Sequence, residues 1–303
     1  MNIAYIFNKY ILSLEKFGIR FLKLKNKFPP LFIVGCPRSG TTIIYQYLMN
    51  SFNFSYFPNI TRNYYNACVL SSLIGKLLFK YTPVFESKHG ISEGALAPND
   101  GWEVFHRWFP KYDHSQPVKT NRLYELKSIV RLLEIVFQAP FINKNNNNCA
   151  RVKSLSDLFP DALFIFISRD TKSTVQSILK ARTENHILPN EWWGAAPLQF
   201  YNQCFSTELE QAVYQVQGIR DHLKQSAIQI SKENQLWMSY EEFCLEPEKL
   251  KKWVFEKYKK SGVMLKGRNT QPPKSFNVKT THHFDTPDLD EQFNDALKKY
   301  AGC

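Results

Sequence analysis

Leu31-Phe32-Ile33-Val34-Gly35-Cys36-Pro37-Arg38-Ser39-Gly40-Thr41-Thr42-Ile43-Ile44-Tyr45 is the stretch whose reading decides the fold. Four apolar residues ending at Gly35 have the character of a buried strand, and the apolar positions after Thr42 return at helical spacing. The segment between is therefore a tight strand-to-helix turn. The first N–H groups of a helix have no intrahelical partner and sit at the positive end of its dipole, so such a turn is an anion site. Gly35 and Gly40 let the backbone close around a ligand, and Ser39, Thr41 and Thr42 add hydroxyl donors. A triphosphate loop of the pattern G-x-x-x-x-G-K-[ST] carries its lysine directly after the second glycine. Here that place holds Thr41, and the cation lies inside the loop as Arg38, which argues against ATP hydrolysis.

Pro37-Arg38-Ser39-Gly40-Thr41-Thr42 after a hydrophobic strand resembles the 5′-phosphosulfate loop of the sulfotransferases, which transfer sulfuryl groups from 3′-phosphoadenosine 5′-phosphosulfate (PAPS). The arginine inside the loop is most similar to the branch of tyrosyl-protein and many bacterial sulfotransferases. A second stretch, Leu158-Phe159-Pro160-Asp161-Ala162-Leu163-Phe164-Ile165 before Ser168-Arg169-Asp170, resembles the family pattern L-F-P-x-A-x-F-I…R-D, and Ser177 follows about two helical turns after Arg169. A guanidinium bonds phosphate bidentately and a hydroxyl adds one more bond. The resemblance implies that Arg169 and Ser177 hold the 3′-phosphate of PAPS and that the loop holds the 5′-phosphosulfate through Gly35, Pro37, Arg38, Ser39, Gly40, Thr41 and Thr42. It also implies that no metal is required.

Further candidates follow from the same resemblance. Asn143-Lys144-Asn145 stands where tyrosyl-protein relatives have Asn-Lys-Asp-Pro, which makes Lys144 a catalytic cation; read by itself it is a solvated lysine. Residues 145–148 are four asparagines, and 146–148 read as a flexible low-complexity loop. Tyr240-Glu241-Glu242-Phe243 with Pro247 resembles the family's Y-E-x-[LF]…P segment, whose tyrosine lies near the nucleotide; the alternative is a core tyrosine. By a weaker likeness, Lys266-Gly267-Arg268 and residues 277–279 form a late loop closing over the nucleotide.

A general base must lie within about 3 Å of the hydroxyl it deprotonates. The tyrosyl-protein branch uses a glutamate just after the loop helix, but Phe57-Pro58-Asn59-Ile60-Thr61-Arg62 contains no acid. The candidates move to Pro98-Asn99-Asp100-Gly101-Trp102-Glu103, with Asp100 first, then Glu103, then His106 or His89. Trp192-Trp193-Gly194 and the aromatic residues of 102–109 either wall a substrate pocket or belong to the core.

Beyond the two turns, the pattern alternates: a helix over 123–137, strands over 163–167 and 235–239, a long helix over 198–223, and a helix from Pro247 through 258. Strands alternating with helices specify an α/β fold, a P-loop nucleotide-kinase-like parallel sheet flanked by helices in a single domain, with ligands at the carboxyl ends of the strands. We expect that domain over residues 29–303, after an amino-terminal segment at 1–28.

The 303 residues suffice for a full α/β core, and a net charge of +12 favours polyanionic ligands without choosing among them. Residues 1–28 read as an amphipathic helix with Ile3, Phe7, Ile11, Leu14 and Phe21 near helical spacing and Lys9, Lys16, Arg20, Lys23, Lys25 and Lys27 between them. This pattern suits peripheral membrane contact and is far too interrupted for a spanning helix or a signal peptide. Six scattered cysteines without a C-x-x-C pair point to neither a zinc cluster nor a disulfide framework, so the expected compartment is the cytoplasm, with a Golgi-type location as the alternative.

The leading reading is sulfuryl transfer from PAPS to a hydroxyl of a carbohydrate, phenol, lipid or peptide tyrosine, with no role for nucleic acid. Two alternatives remain. A P-loop small-molecule kinase would need ATP and magnesium, and a non-catalytic nucleotide or polyanion binder would hold PAPS or heparin without forming a sulfated product.

Overall fold

The apolar run before Gly35 becomes the centre of a parallel sheet in a computed structural model that describes residues 15, 18–19, 24–82, 85, 92–109, 122–198, 204–280, 284 and 286–301. In chain order the strands are β1 Leu31–Gly35, β2 Phe57–Pro58, β3 Pro98–Asn99, β4 Ile142–Lys144, β5 Leu163–Ser168 and β6 Gln235–Ser239. The helices are α1 Thr41–Ser51, α2 Ile60–Asn63, α3 Cys68–Leu78, α4 Trp102–Phe105, α5 Leu123–Phe137 and α6 Val152–Leu158. They continue with α7 Thr171–Glu184, α8 Glu208–Ala227, α9 Tyr240–Leu245, α10 Pro247–Lys260 and α11 Pro287–Lys299.

The main sheet has the order β4-β1-β5-β6 with every pair parallel, and β2 and β3 form a separate antiparallel pair. Residues of a strand alternate between the faces of its sheet. Phe32 and Val34 of β1 accordingly join Phe164 and Phe166 of β5 in one core, together with Leu126 and Ile129 of α5 and Val213 and Val216 of α8. Leu31 and Ile33 enter the other core with Ile44 and Leu48 of α1 and Leu250 and Val254 of α10. A sheet covered on both faces needs apolar residues at every position, which is why Leu31-Phe32-Ile33-Val34 has no polar member. Each such side chain contributes about 1.5–3 kcal/mol of burial.

The register fixes the functional end of the molecule. Leu31 aligns with Leu163 and Gly35 with Ile167, so β1 and β5 finish level and their following turns leave the same edge of the sheet.

The asparagine run departs from expectation. Residues 146–151 form a 3-10 turn rather than a flexible loop, and Asn145, Asn147 and Asn148 are buried. Side-chain amides of the run hold it in place: Asn145 Oδ1 accepts from Asn147 N at 2.9 Å, and Asn145 Nδ2 donates to the Asp100 carbonyl at 3.1 Å. Asn148 Nδ2 donates to Asn143 Oδ1 at 2.8 Å. The long helix expected over 198–223 instead begins at Glu208, where the Thr207 hydroxyl accepts from Glu210 N at 3.1 Å and sets the start. Of the amino-terminal segment, residues 15, 18, 19 and 24–28 are described, and the rest of the expected helix lies outside the described residues. Ile19 is buried in the first core, and the Glu15 carboxylate accepts from Val69 N at 3.2 Å and Leu70 N at 2.8 Å at the start of α3.

Candidate active site

The turn between β1 and α1 is held open by its backbone. Gly40, at the helix start, has φ 90° and no side chain caps the helix, so the leading amides of α1 remain available. A Cβ on Gly40 would lie 2.5 Å from Tyr240 Cδ2, and one on Gly35 would lie 2.7 Å from the Ile167 carbonyl oxygen, so only glycine fits either place. Arg38 is also left-handed, at φ 68°, an uncommon state for a residue with a side chain. Its carbonyl is fixed by Arg169 Nη1, which donates to it at 3.0 Å. Below the loop, the Cys149 thiol donates to the Gly35 carbonyl at 3.0 Å, and burial pushes that thiol up to about 12.

The second turn leaves β5 beside the first. Arg38 Nε donates to Ser177 Oγ at 2.8 Å, and the Arg169 guanidinium lies 4.7 Å from the Tyr240 ring centre. Tyr240 thus touches both turns, packing on Gly40 and on Arg169. Arg169 also donates to the Lys279 carbonyl, while Arg220 of α8 donates to the Arg169 carbonyl and to the Thr171 hydroxyl.

These residues line one cleft of about 960 Å³ with Thr41, Thr42, Lys144, Asn146 and Trp193. Among the described residues its charged lining consists of Arg38, Lys144, Arg169, Lys180 and Lys279 against a single acid, Glu184. Burial, and then the charge of Arg169, pull Arg38 below the usual guanidinium range. Burial likewise lowers Lys144, with Asp100 opposing the shift and Arg38 adding to it. A site that crowds like charges out of water stabilises an anion that enters it. Two buried polar atoms have no partner and mark where one fits: Ser39 Oγ inside the loop and Arg169 Nε on its guanidinium.

Of the expected residues, the structure brings Gly40, Arg38, Thr41, Thr42, Lys144, Arg169, Ser177 and Tyr240 to the cleft wall, with Gly35 and Ser39 just beneath; Pro37 packs beside Gly194. Asp100 lies outside that wall. Its Oδ1 accepts from Trp102 N at 3.1 Å, its carbonyl accepts from Asn143 and Asn145, and its charge acts on Lys144. Glu103 also stands apart, 3.5 Å from Arg62 Nε in an ion pair. His106 packs edge-on against Trp102, and His89 lies outside the described residues. Asn277 and Lys279 reach the cleft as expected, and so does Trp193, which the sequence left open between pocket wall and core, whereas Lys266, Gly267 and Arg268 stay away from it. Val104, Phe105, Trp108 and Phe109 belong to the core.

Several residues escaped the sequence reading. Lys180 and Glu184 follow Ser177 by one and two turns of α7, so the helical period alone would have found them. Asn146, whose Oδ1 accepts from the Thr41 hydroxyl at 3.4 Å, had no such signal. Arg151 is buried between the rings of Phe105 and Phe109, at 5.2 and 4.9 Å, and burial pulls it down to about 9 despite the charge of Asp100.

The fold is shared with solved proteins. Sulfotransferase STF1 from Mycobacterium tuberculosis H37Rv superposes with a TM-score of 0.55 at 12% identity, over 86% of this chain and 74% of that one. Sulfotransferase STF9 from Mycobacterium avium gives 0.55 at 15% identity, over 97% of this chain and 73% of its own. No curated protein matches the sequence. The pattern of the Sulfotransferase family, however, runs through residues 29–256, from before the first turn to the helix after Tyr240. That span is well over half of the sequence and contains both turns of the cleft, so the chain belongs to the sulfotransferase family.

Proposed function

We propose that the protein transfers a sulfuryl group from PAPS to a hydroxyl acceptor. The observation that carries this reading is the 2.8 Å link between Arg38 Nε and Ser177 Oγ, because it joins two anion-binding turns into one strongly cationic cleft. A donor charged at both the 3′ and the 5′ position of its ribose matches that lining better than a nucleotide charged at the 5′ position alone.

PAPS supplies the activated sulfuryl group. The amides at the start of α1, with Arg38, Ser39 and Thr42, bind the 5′-phosphosulfate and neutralise the leaving phosphate. Arg169 and Ser177 bind the 3′-phosphate. Lys144 offsets charge at the bridging oxygen, and its partial desolvation strengthens that interaction. The acceptor oxygen bonds to sulfur as the bond from sulfur to the bridging oxygen breaks, and the acceptor proton passes to Asp100, which stands outside the wall of the donor cleft, so the acceptor enters from that side. Asp100 is favoured over Glu103 because its charge acts on Lys144, whereas Glu103 pairs with Arg62.

The reading is tested by PAPS binding and by mass spectrometry of products from an acceptor panel. We expect Arg38→Ala and Arg169→Ala each to weaken PAPS binding at least tenfold, and Asp100→Asn to lower turnover about 100-fold or more with PAPS binding retained. Binding that survives both arginine changes overturns the donor assignment. PAPS binding with no sulfated product across the panel favours a non-catalytic binder instead. Phosphate transfer from ATP with magnesium would favour a kinase, against which Thr41 stands at the lysine position.

A further inference from the structure

Helix α3 is built with its polarity reversed. Amphipathic surface helices turn their apolar stripe to the core. In α3 the buried positions are Cys68, Ser71, Ser72 and Gly75, while the outer positions are Leu70 (36% exposed), Leu73 (41%), Leu77 (76%) and Leu78 (70%). The buried set repeats at helical spacing and packs closely: a Cβ on Gly75 would lie 3.0 Å from Leu96. Phe79 and, before the helix, Tyr65 continue the apolar surface. Of the 13 large apolar side chains that stand exposed among the described residues, these six fall within residues 65–79. Scattered exposed leucines need no explanation, but a contiguous patch marks a contact surface.

The charge around the patch selects the occupant. Helix α3 contains no acid, and Lys76 and Lys80 stand exposed at its carboxyl end. Lys76 Nζ donates to the Val136 carbonyl at 2.5 Å, which sets the end of α3 beside the exposed Ile135 of α5. At the other end, Glu15 accepts from Val69 N and Leu70 N, tying the amino-terminal segment to the start of α3. Residues 1–28 carry six lysines and arginines and one acid, which is Glu15 itself. The one negative charge of that segment is thus engaged in capping α3.

Leucines in contact with cations and without acids are the requirements of a bilayer surface bearing anionic headgroups: apolar side chains enter the acyl boundary while lysines meet phosphates. At 11 residues α3 is suited to lie in the interface, and no helix among the described residues is long and apolar enough to cross a membrane. We propose that the outer face of α3, with Lys76 and Lys80 at its carboxyl end, docks this protein on anionic membranes.

Co-sedimentation of the full chain with phosphatidylcholine vesicles, and with vesicles containing phosphatidylglycerol, tests the proposal. Binding should favour the anionic vesicles, weaken with added salt, and fall at least tenfold when Leu73→Ser, Leu77→Ser and Leu78→Ser are combined. Ile228→Ser and Leu245→Ser, at exposed leucine-like positions elsewhere, should leave it unchanged. In a Leu77→Trp variant the tryptophan emission should shift to the blue on adding anionic vesicles. Absence of vesicle binding, or binding indifferent to the triple change, overturns the proposal. So does a dimer of the unaltered chain that the triple change dissociates, since a second copy would then cover the leucines. The melting temperature of the triple variant guards against a loss caused by unfolding.

Discussion

The two strand-turn-helix units of the cleft look alike in the sequence and present different groups to an anion. Where β1 meets α1, the helix start is Gly40 with no side-chain cap, so the amides themselves stay open. Where β5 meets α7, Asp170 closes the helix, its carboxylate accepting from Ser173 N at 2.8 Å. An anion cannot use amides already taken by a carboxylate. The second unit therefore offers the cleft the side chains of Arg169, before the helix, and Ser177, two turns inside it. The fold repeats one motif, and a single residue at the cap decides whether backbone or side chain does the binding.

The largest test of this difference is Gly40→Ala. The change places a side chain in the left-handed region, at about 1–2 kcal/mol, and drives its Cβ into Tyr240, which covers Arg169. We expect PAPS affinity to fall about 100-fold, or about 3 kcal/mol, by calorimetric titration. A loss below tenfold would show that amides matter little in the first unit. Next comes Arg169→Lys. Charged hydrogen bonds contribute about 1.5–3 kcal/mol each, and lysine keeps the charge while losing the two-pronged geometry. We expect about a tenfold loss of affinity, close to that of Arg169→Ala; full rescue by lysine would mean that charge alone suffices there.

The smallest effect on binding belongs to Asp170→Ala. Removing the cap should cost about 1 kcal/mol of stability by thermal denaturation and leave PAPS affinity within about twofold. Burial raises the Asp170 carboxyl, but hydrogen bonds from Ser173 and the charges of Arg220 and Arg169 outweigh it and hold the group below its ordinary value of 3.8. Its contribution is therefore fully present above that value and is lost as pH falls through the lower folded-state value. The alanine variant should lack that acid-side decline. Tighter PAPS binding in the variant would mean that the freed amides join the site.

The sequence carried the local parts of this architecture well. Leu31–Gly35, Leu123–Phe137 and Gln235–Ser239 are each specified by their own apolar period and by nearby punctuation, such as the left-handed Gln138 before Pro140. Arg169 and Ser177 were readable because the strand before them resembles the family's second motif, while their spacing alone carries no signal. What stayed hidden depends on partners distant in sequence. Asn145 and Asn148 are ordered by Asp100 and Asn143, and no composition rule distinguishes such amides from a solvated tract. Glu103 stood second to Asp100 as a candidate base, and nothing in the sequence showed that Arg62, brought over by α2, engages it. Helix α3 carries an apolar period that reads as core, yet its small residues are the ones that pack inward.

The thiol beneath the first turn has a practical consequence. Cys36 and Cys149 are buried at the floor of the cleft, and burial raises both well above the ordinary thiol range, so neither offers a thiolate to an electrophile at neutral pH. Cys204 is the one exposed thiol among the described residues. A maleimide dye should therefore attach at Cys204 in preference to Cys36 and Cys149, and report on tumbling and surface attachment without disturbing the cleft.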